Sequence, residues 1–512
     1  VGITTQLSAL LAPYCAIPPS FDVMLKGITS DSREVSPQDL FLTSCPPMGE
    51  GAPYIEAAVR GGAAAVVRNS PTEEIHMGFL QSPEGHEIPQ ISLPSLAHRM
   101  GPIASSFYQH PSRQFPVIGI TGTNGKTTIS FLLAQALTAL HQPNWVVGTL
   151  GYGVWNDLTS SGFTTPMPVG LQKILFEASQ QGIKTIAMEV SSHSLVQHRV
   201  AGMNFDAAVF TNLTRDHLDF HGDMAHYGAA KKQLLDWPHL KARIINLDDA
   251  FGYELAKHYE ETLKDKESFL WYAQEASKQN PSPRVFFKNV SYDEKGIEGH
   301  VVTPQGELFL KSKLLGVFNG SNLLAAIAVL IHLGYPLKHI ENVLPQLHGA
   351  PGRMQVMNAT TGPKVVIDYA HTPDALESTL KALRPYAKGR VLCVMGCGGQ
   401  RDPGKRPLMG NVASQHSDVV IITSDNPRFE SPEAIIEDIM KGIKKGVSYH
   451  VEVDRRKAIE WALENATPLD LILIAGKGHE SYQQVKEEFH HFSDEEEVQK
   501  WIDAKRGFYE VK

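Results

Sequence analysis

In Gly122-Thr-Asn-Gly-Lys-Thr-Thr128, a lysine follows two glycines and precedes two hydroxyls, an order of residue types suited to binding a polyphosphate. Gly122 and Gly125 let backbone N–H groups approach an anion, and the following helix adds the partial positive charge of its N-terminus. Lys126 supplies a mobile cation for β- and γ-phosphates, and Thr127 a hydroxyl for Mg²⁺. The spacing departs from the common Walker loop, because Ile120 stands where G-x-x-x-x-G-K-T has its first glycine. A ligand-free strand-to-helix turn is the plain alternative, but turn geometry gives no reason for the lysine and hydroxyls. Further on, Glu189 ends an apolar strand at 183–190, where a carboxylate is costly unless paired or bound to metal. The loop 211–222 crowds Asp216, His217, Asp219 and His221, a set able to hold Mg²⁺, with a hydrogen-bonded surface loop as the alternative.

Elements must hold these groups in place. Val117 to Ile120 reads as a buried strand, and apolar positions 129, 132, 133, 136, 137 and 140 mark one face of the following helix. Strand-like runs at 144–150, 183–190 and 207–210 alternate with helical segments, which predicts a doubly wound, mostly parallel sheet. Tyr227 to Leu235 reads as a helix on which Lys231 and Lys232, judged locally, are solvent-facing charges. Leu315 to Ala326 reads as a turn opening onto an Ala/Leu-rich helix that carries Asn319 and Asn322.

Ahead of this region, strands at 39–43 and 64–67 flank a small-residue helix over 57–65, a small α/β unit. Its loop Ser30-Asp-Ser-Arg33 suits either a polar ligand or a self-bonded Asx turn. Pro111 and Pro116 bracket a linker. Beyond Gly349-Ala-Pro-Gly-Arg-Met354, strands at 365–371, 390–395, 419–423 and 471–475 each run into a polar loop, which predicts a second doubly wound sheet. Gly396-x-Gly398 lacks the third glycine of a dinucleotide site. The expected architecture is α/β in three domains: a small N-terminal domain (1–109), a central P-loop-type domain (110–348) and a C-terminal Rossmann-like domain (349–512).

With 512 residues the chain is too long for one core, and a net charge of −8 gives no sign of nucleic-acid binding. Four cysteines are too few for a disulfide framework, and Cys393 and Cys397 have no second Cys/His pair nearby to complete a metal site. No basic n-region and no apolar run near eighteen residues is present, so a cytoplasmic protein without a membrane segment is expected.

Asp425, Arg428 and Glu480 suit a zwitterion, with arginine for a carboxylate and carboxylates for an ammonium. Joined to a triphosphate cradle, they fit an enzyme that activates an acid with ATP and couples it to an amino acid. Gly122 to Thr128, Met188-Glu-Val-Ser-Ser-His193, Asn212 to Gly222, Asp368-Tyr-Ala-His-Thr-Pro373 and Asp425-Asn-Pro-Arg428 together resemble the motifs of the Mur ligases, across all three segments and in order. The resemblance implies an ATP-driven amide ligase that phosphorylates the free D-glutamate carboxylate of UDP-MurNAc-L-Ala-D-Glu. The acyl phosphate is then attacked by an amine through a tetrahedral intermediate.

The resemblance also implies roles. Gly122, Thr123, Asn124, Gly125, Lys126, Thr127 and Thr128 hold the phosphates, with Thr127, Glu189, His217 and Lys231 around Mg²⁺. Lys231 becomes a carbamate, against its local reading. Asn319, Arg353, Asp368 and His371 lie near adenosine or phosphates; Thr164, Thr165, Ser191, Gln197 and Arg199 hold the muramoyl dipeptide; Ser30 and Ser32 touch its uridine. Arg401, Asp425, Asn426, Pro427, Arg428, Gly476 and Glu480 receive the amino acid. Asp-Asn-Pro-Arg resembles the branch that adds meso-diaminopimelate, whose distal carboxylate Arg428 can pair and lysine lacks. Pro46 to Gly51 departs from the family's uracil-contacting loop. The resemblance therefore implies a monomer with two small-molecule partners; transfer of L-lysine, a folylpolyglutamate synthetase-like ligase and a nucleotide switch are the alternatives.

Overall fold

β-Branched and aliphatic runs become the inner strands of three sheets, each carrying polar loops at strand ends. The computed structural model describes residues 2–44, 52–263, 268–277, 280–293, 295–358 and 362–509. Contacts between Cα atoms divide the chain into two compact units: 1–121 with 141–208 and 233–241, and 122–140 with 209–232 and 242–512.

The N-terminal sheet runs Gly27–Thr29, Asp39–Thr43, Ala65–Asn69, Glu87–Leu93, His76–Gln81, with only the last pair antiparallel. The helix expected over 57–65 is instead Ala52–Arg60. Gly61 and Gly62 end it, the latter at φ +93°, and Ala63 to Ala65 lead into the next strand.

The central sheet has seven strands in the order Asp157–Thr159, Gly151–Val154, Asn144–Gly148, Thr185–Glu189, Val117–Thr121, Ala207–Phe210, Ala242–Ile245. Thr185–Glu189 pairs in parallel with both neighbours, setting Glu189 opposite Ile120. Helix Lys126–Ala139 is buried all round rather than on one face: Ser130, Phe131, Ala134 and Gln135 are buried along with Ile129, Leu132, Leu133, Ala136 and Leu137. The reason is a second apolar helix, Val317–His332, that packs against it. A four-stranded sheet follows, Tyr272–Glu275, Val285–Asp293, Gly296–Thr303 and Gly306–Ser312, which nothing in the sequence reading anticipates.

The C-terminal sheet runs Gln355–Asn358, Lys364–Asp368, Leu471–Ala475, Val391–Met395, Val419–Ile422, Ser448–Val451. All its pairs are parallel except the first. The four strands read from sequence sit together, so Asp368, Met395, Ile422 and Ala475 end along one edge and their loops share it.

Candidate active site

The loop after Val117–Thr121 is a cradle. Gly122 and Gly125 have φ of +143° and +90°, values at which an L side chain is strained. A Cβ at Gly122 would collide with the Thr211 hydroxyl, and one at Gly125 would stand 2.7 Å from Asn322 Oδ1. The N–H groups of Thr123 and Asn124 do not face a ligand: they donate to the Asn212 carbonyl and side-chain oxygens, both at 2.9 Å. Thr211 Oγ1 donates to the Asn124 carbonyl at 2.6 Å, and Thr214 N and Tyr227 OH lie 3.0 and 3.2 Å from Thr123 Oγ1. Residues 211–214 therefore brace the loop ahead of helix Lys126–Ala139, whose N-terminus favours an anion.

Two lysines converge on one carbonyl. Lys126 Nζ donates to the Gly122 and Thr123 carbonyls at 2.8 Å, and Lys231 Nζ donates to the Gly122 carbonyl at 2.8 Å. Lys231 is 1% exposed, 4.3 Å above the Tyr227 ring centroid, so the solvent-facing reading is wrong. Burial, then the charge of Lys126, pushes its amine well below the usual lysine range, against the pull of Asp216.

The aspartates and histidines of 216–221 do not gather. Asp216 is buried with His217 Nε2 at 3.2 Å and His371 Nε2 at 3.6 Å, while Asp219 is exposed and His221 lies against Tyr227. Burial would raise the Asp216 carboxyl, but His371, His217 and Lys405 outweigh it and hold it far below the ordinary range. Among the described residues, no three His, Cys, Asp or Glu side chains form a metal cluster.

An open cleft lies beside the cradle. Asn124, Gly125 and Thr128 line it together with Asn319, Arg353 and Asp368. Asn319 accepts from Asn322 Nδ2 at 3.0 Å and donates to the Leu315 carbonyl at 2.9 Å. The Arg353 guanidinium lies 4.4 Å over the Tyr369 ring and 3.5 Å from Thr127 Oγ1, and its Nε is buried with no hydrogen-bond partner among the described residues. Asp368 accepts from Met354 N, Ala370 N and Thr379 Oγ1 at 2.7, 3.0 and 3.3 Å, pinning the 349–354 segment to the C-terminal sheet. Burial lifts its carboxyl above the ordinary range despite Arg353 and these bonds.

A second polar group stands at the end of Thr185–Glu189. Thr149 donates to Glu189 from its N–H (3.0 Å) and its hydroxyl (3.1 Å), and the same hydroxyl lies 3.1 Å from Thr164 Oγ1. Thr165 Oγ1 donates to the Glu189 carbonyl at 2.9 Å and accepts from Ser191 N at 3.1 Å. Arg199 donates to the Thr165 carbonyl and to Gln197 Oε1 at 3.1 and 2.8 Å. All the residues assigned to the muramoyl peptide by resemblance thus form one connected network. In the N-terminal loop, Asp31 accepts from the Arg33 N–H and guanidinium, the self-bonded alternative, which leaves Ser30 and Ser32 beside an internally paired turn. Residues 46–51, where the uracil loop departs from the family, lie outside the described residues.

The third group is at the C-terminal sheet edge. Asn426 Nδ2 donates to Glu480 Oε2 at 2.8 Å, and Tyr369 OH reaches Glu480 Oε1 at 3.3 Å. Asp425 is half-buried; its desolvation would raise its carboxyl, but Lys477 and then Arg455 hold it below the ordinary range. Gly476 has φ +113°, and a Cβ there would stand 2.8 Å from Asp425 Oδ2. Arg428 adopts φ +54° and donates from Nη1 to the Gly399 carbonyl at 2.8 Å, while Pro427 packs its carbonyl against Gly399 and Arg401 is exposed. Sequence reasoning missed Lys477, Tyr369, Tyr227 and Asn212. Lys477 had a signal, a cation two residues past an all-apolar strand; the others are fixed only by tertiary contact.

Cradle, cleft and zwitterion loop together define an ATP-dependent acid–amine ligase. Models of the Mur ligase middle domain and of the Mur ligase, glutamate ligase domain match residues 120–330 and 352–478. The UDP-N-acetylmuramoyl-L-alanyl-D-glutamate–2,6-diaminopimelate ligase of Pseudomonas aeruginosa is 46% identical over 94% of this chain and 96% of its own. That of Pseudomonas putida is 44% identical over 98% and 99%. A solved ligase of the same name superposes with a TM-score of 0.68 at 35% identity, covering 98% of this chain and all of its own. The chain belongs to the Mur ligase family.

Proposed function

We propose that this protein joins meso-diaminopimelate to the D-glutamate of UDP-MurNAc-L-Ala-D-Glu at the expense of ATP, acting in the cytoplasm as a monomer and using Mg²⁺. The observation that carries this reading is the Asp425–Arg428 loop, with Arg428 anchored on Gly399 and Asn426 bonded to Glu480. A cation and two carboxylates at that edge match an amino acid with charges at both ends. The near full-length likeness to 2,6-diaminopimelate ligases supports it.

In this reading residues 1–109 receive the UDP end, with Ser30 and Ser32 at the uridine; 110–348 hold ATP; and 349–512 hold the amino acid. The γ-phosphate binds at the first turn of Lys126–Ala139, and Lys126 leaves the loop carbonyls to follow it. Asn319, Arg353, Asp368 and His371 face the nucleotide, and the Nε of Arg353, unpaired among the described residues, is a donor for it. Thr164, Thr165, Ser191, Gln197 and Arg199 hold the dipeptide so that its carboxylate attacks the γ-phosphorus, giving an acyl phosphate and ADP. The amine attacks the acyl carbon, phosphate leaves, and the ammonium proton is lost.

By family resemblance Thr127, Glu189 and His217 would hold Mg²⁺, which favours oxygen donors such as the Thr127 hydroxyl and the Glu189 carboxylate. When bound, the ion neutralises charge on the phosphates. Lys231 completes the donor set as a carbamate: its depressed basicity makes the neutral amine available to add CO₂ with loss of a proton. The resulting negative charge also relieves the repulsion from Lys126.

Phosphate release tests the proposal. It should require ATP, the muramoyl dipeptide and meso-diaminopimelate together; release independent of acid and amine would instead support a nucleotide switch.

A further inference from the structure

Lys477 is among the largest fully buried side chains and is 0% exposed, in the loop after strand Leu471–Ala475. A buried ammonium is tolerated only where opposite charge and acceptors surround it. Its Nζ donates to Asn426 Oδ1 at 3.2 Å and to Glu480 Oε2 at 3.1 Å, and stands 5.4 Å over the Tyr482 ring. It thus ties the loop after Val419–Ile422 to the loop after Leu471–Ala475.

The donors fix orientation. A lysine ammonium only donates, so Asn426 must turn its oxygen toward Lys477, where it also accepts from Gln484 N at 2.9 Å. The Asn426 amide nitrogen is thereby aimed at Glu480 Oε2. With Oε2 taken by Lys477 and Asn426, the carboxylate presents Oε1, which among the described residues meets only the longer 3.3 Å bond from Tyr369. Lys477 is also the charge acting most strongly on Asp425, ahead of Arg455, whose own carboxylate partner is Asp494 at 2.8 Å.

We propose that Lys477 is a positioning residue for the amino-acid substrate: by locking Asn426 and Glu480 in one arrangement beside Asp425, it shapes the carboxylate pair that receives the substrate ammonium. The inference rests on reading this edge as the amino-acid site. Lys477 touches the receiving carboxylate and not the reacting atoms, so it governs capture of the amine rather than chemistry.

Steady-state kinetics of the wild type with meso-diaminopimelate come first. Failure to saturate there overturns the parent reading of the site; the variants below test the role of Lys477. In Lys477→Met, KM for the amino acid should rise about ten- to a hundredfold, the worth of a charged hydrogen bond. KM for ATP and for the muramoyl dipeptide, and kcat at saturation, should stay within about threefold. An unchanged amino-acid KM, or three KM values rising together, overturns the proposal. Should Lys477→Met not fold, Glu480→Gln and the double variant Lys477→Met/Glu480→Gln decide, because removing both charges leaves neither unpaired. Equal amino-acid KM in these two variants supports action through Glu480, and additive losses overturn it.

Discussion

Lys231 carries opposite consequences for stability and activity. Its amine binds a proton more weakly folded than unfolded, so between its depressed value and the ordinary 10.5 the unfolded chain holds more protons. Stability therefore rises with pH across that window, and at neutral pH the unmodified lysine is a net cost. Lys231→Met keeps the stem over Tyr227 and removes that cost. In CO₂-free buffer it should raise the melting temperature by about 2 °C or more at pH 7. Activity should fall about a hundredfold or further, as when a group stabilising transition-state charge is removed. Calorimetry and phosphate release check the two halves; a variant that melts lower or retains full activity contradicts the account. The residue alone gave no hint of this: two adjacent lysines on a helix look alike until tertiary packing buries one.

At the scale of elements, the cradle depends on glycine geometry. Gly125→Ala forces an L side chain to φ +90° and toward Asn322 Oδ1 at 2.7 Å, a strain of about 1–3 kcal/mol. Since that strain falls where the helix meets the phosphates, ATP affinity should drop about tenfold or more by titration calorimetry, with the sheet intact by circular dichroism. Affinity equal to wild type would show that the loop does not form the phosphate site. The elements around the cradle were legible because their periodicity is strong: Val117–Thr121, Thr185–Glu189, Val391–Met395 and Leu471–Ala475 are apolar runs stopped by glycine or polar residues. The four-stranded sheet beginning at Tyr272–Glu275 was not, since Val285–Asp293 and Gly306–Ser312 carry exposed, charged faces and bury only alternate residues. The bracing of the cradle was equally hidden, because Thr211 and Asn212 reach it across about ninety residues of chain.

For the whole molecule, motif order was the informative feature. Phosphate loop, Glu189 strand, His217 loop, Asp368 strand and Asp425–Arg428 loop each admit a plain structural reading alone, and the family match spans 120–330 and 352–478. Among the described residues no helix is long and apolar enough to cross a membrane. What pattern could not supply was the set of groups fixed by distant contacts, Lys477 with Asn426 and Tyr369 with Glu480. The central claim is that ATP is spent to attach an amino acid bearing a distal carboxylate. The direct test is a competition: ATP, Mg²⁺ and UDP-MurNAc-L-Ala-D-Glu with equimolar meso-diaminopimelate and L-lysine, read by product mass. The account predicts the diaminopimelate tripeptide nearly alone, because a site built around Arg428 loses heavily when its partner carboxylate is missing. A lysine-bearing product in comparable amount, or no amide product while ATP is consumed, would contradict it.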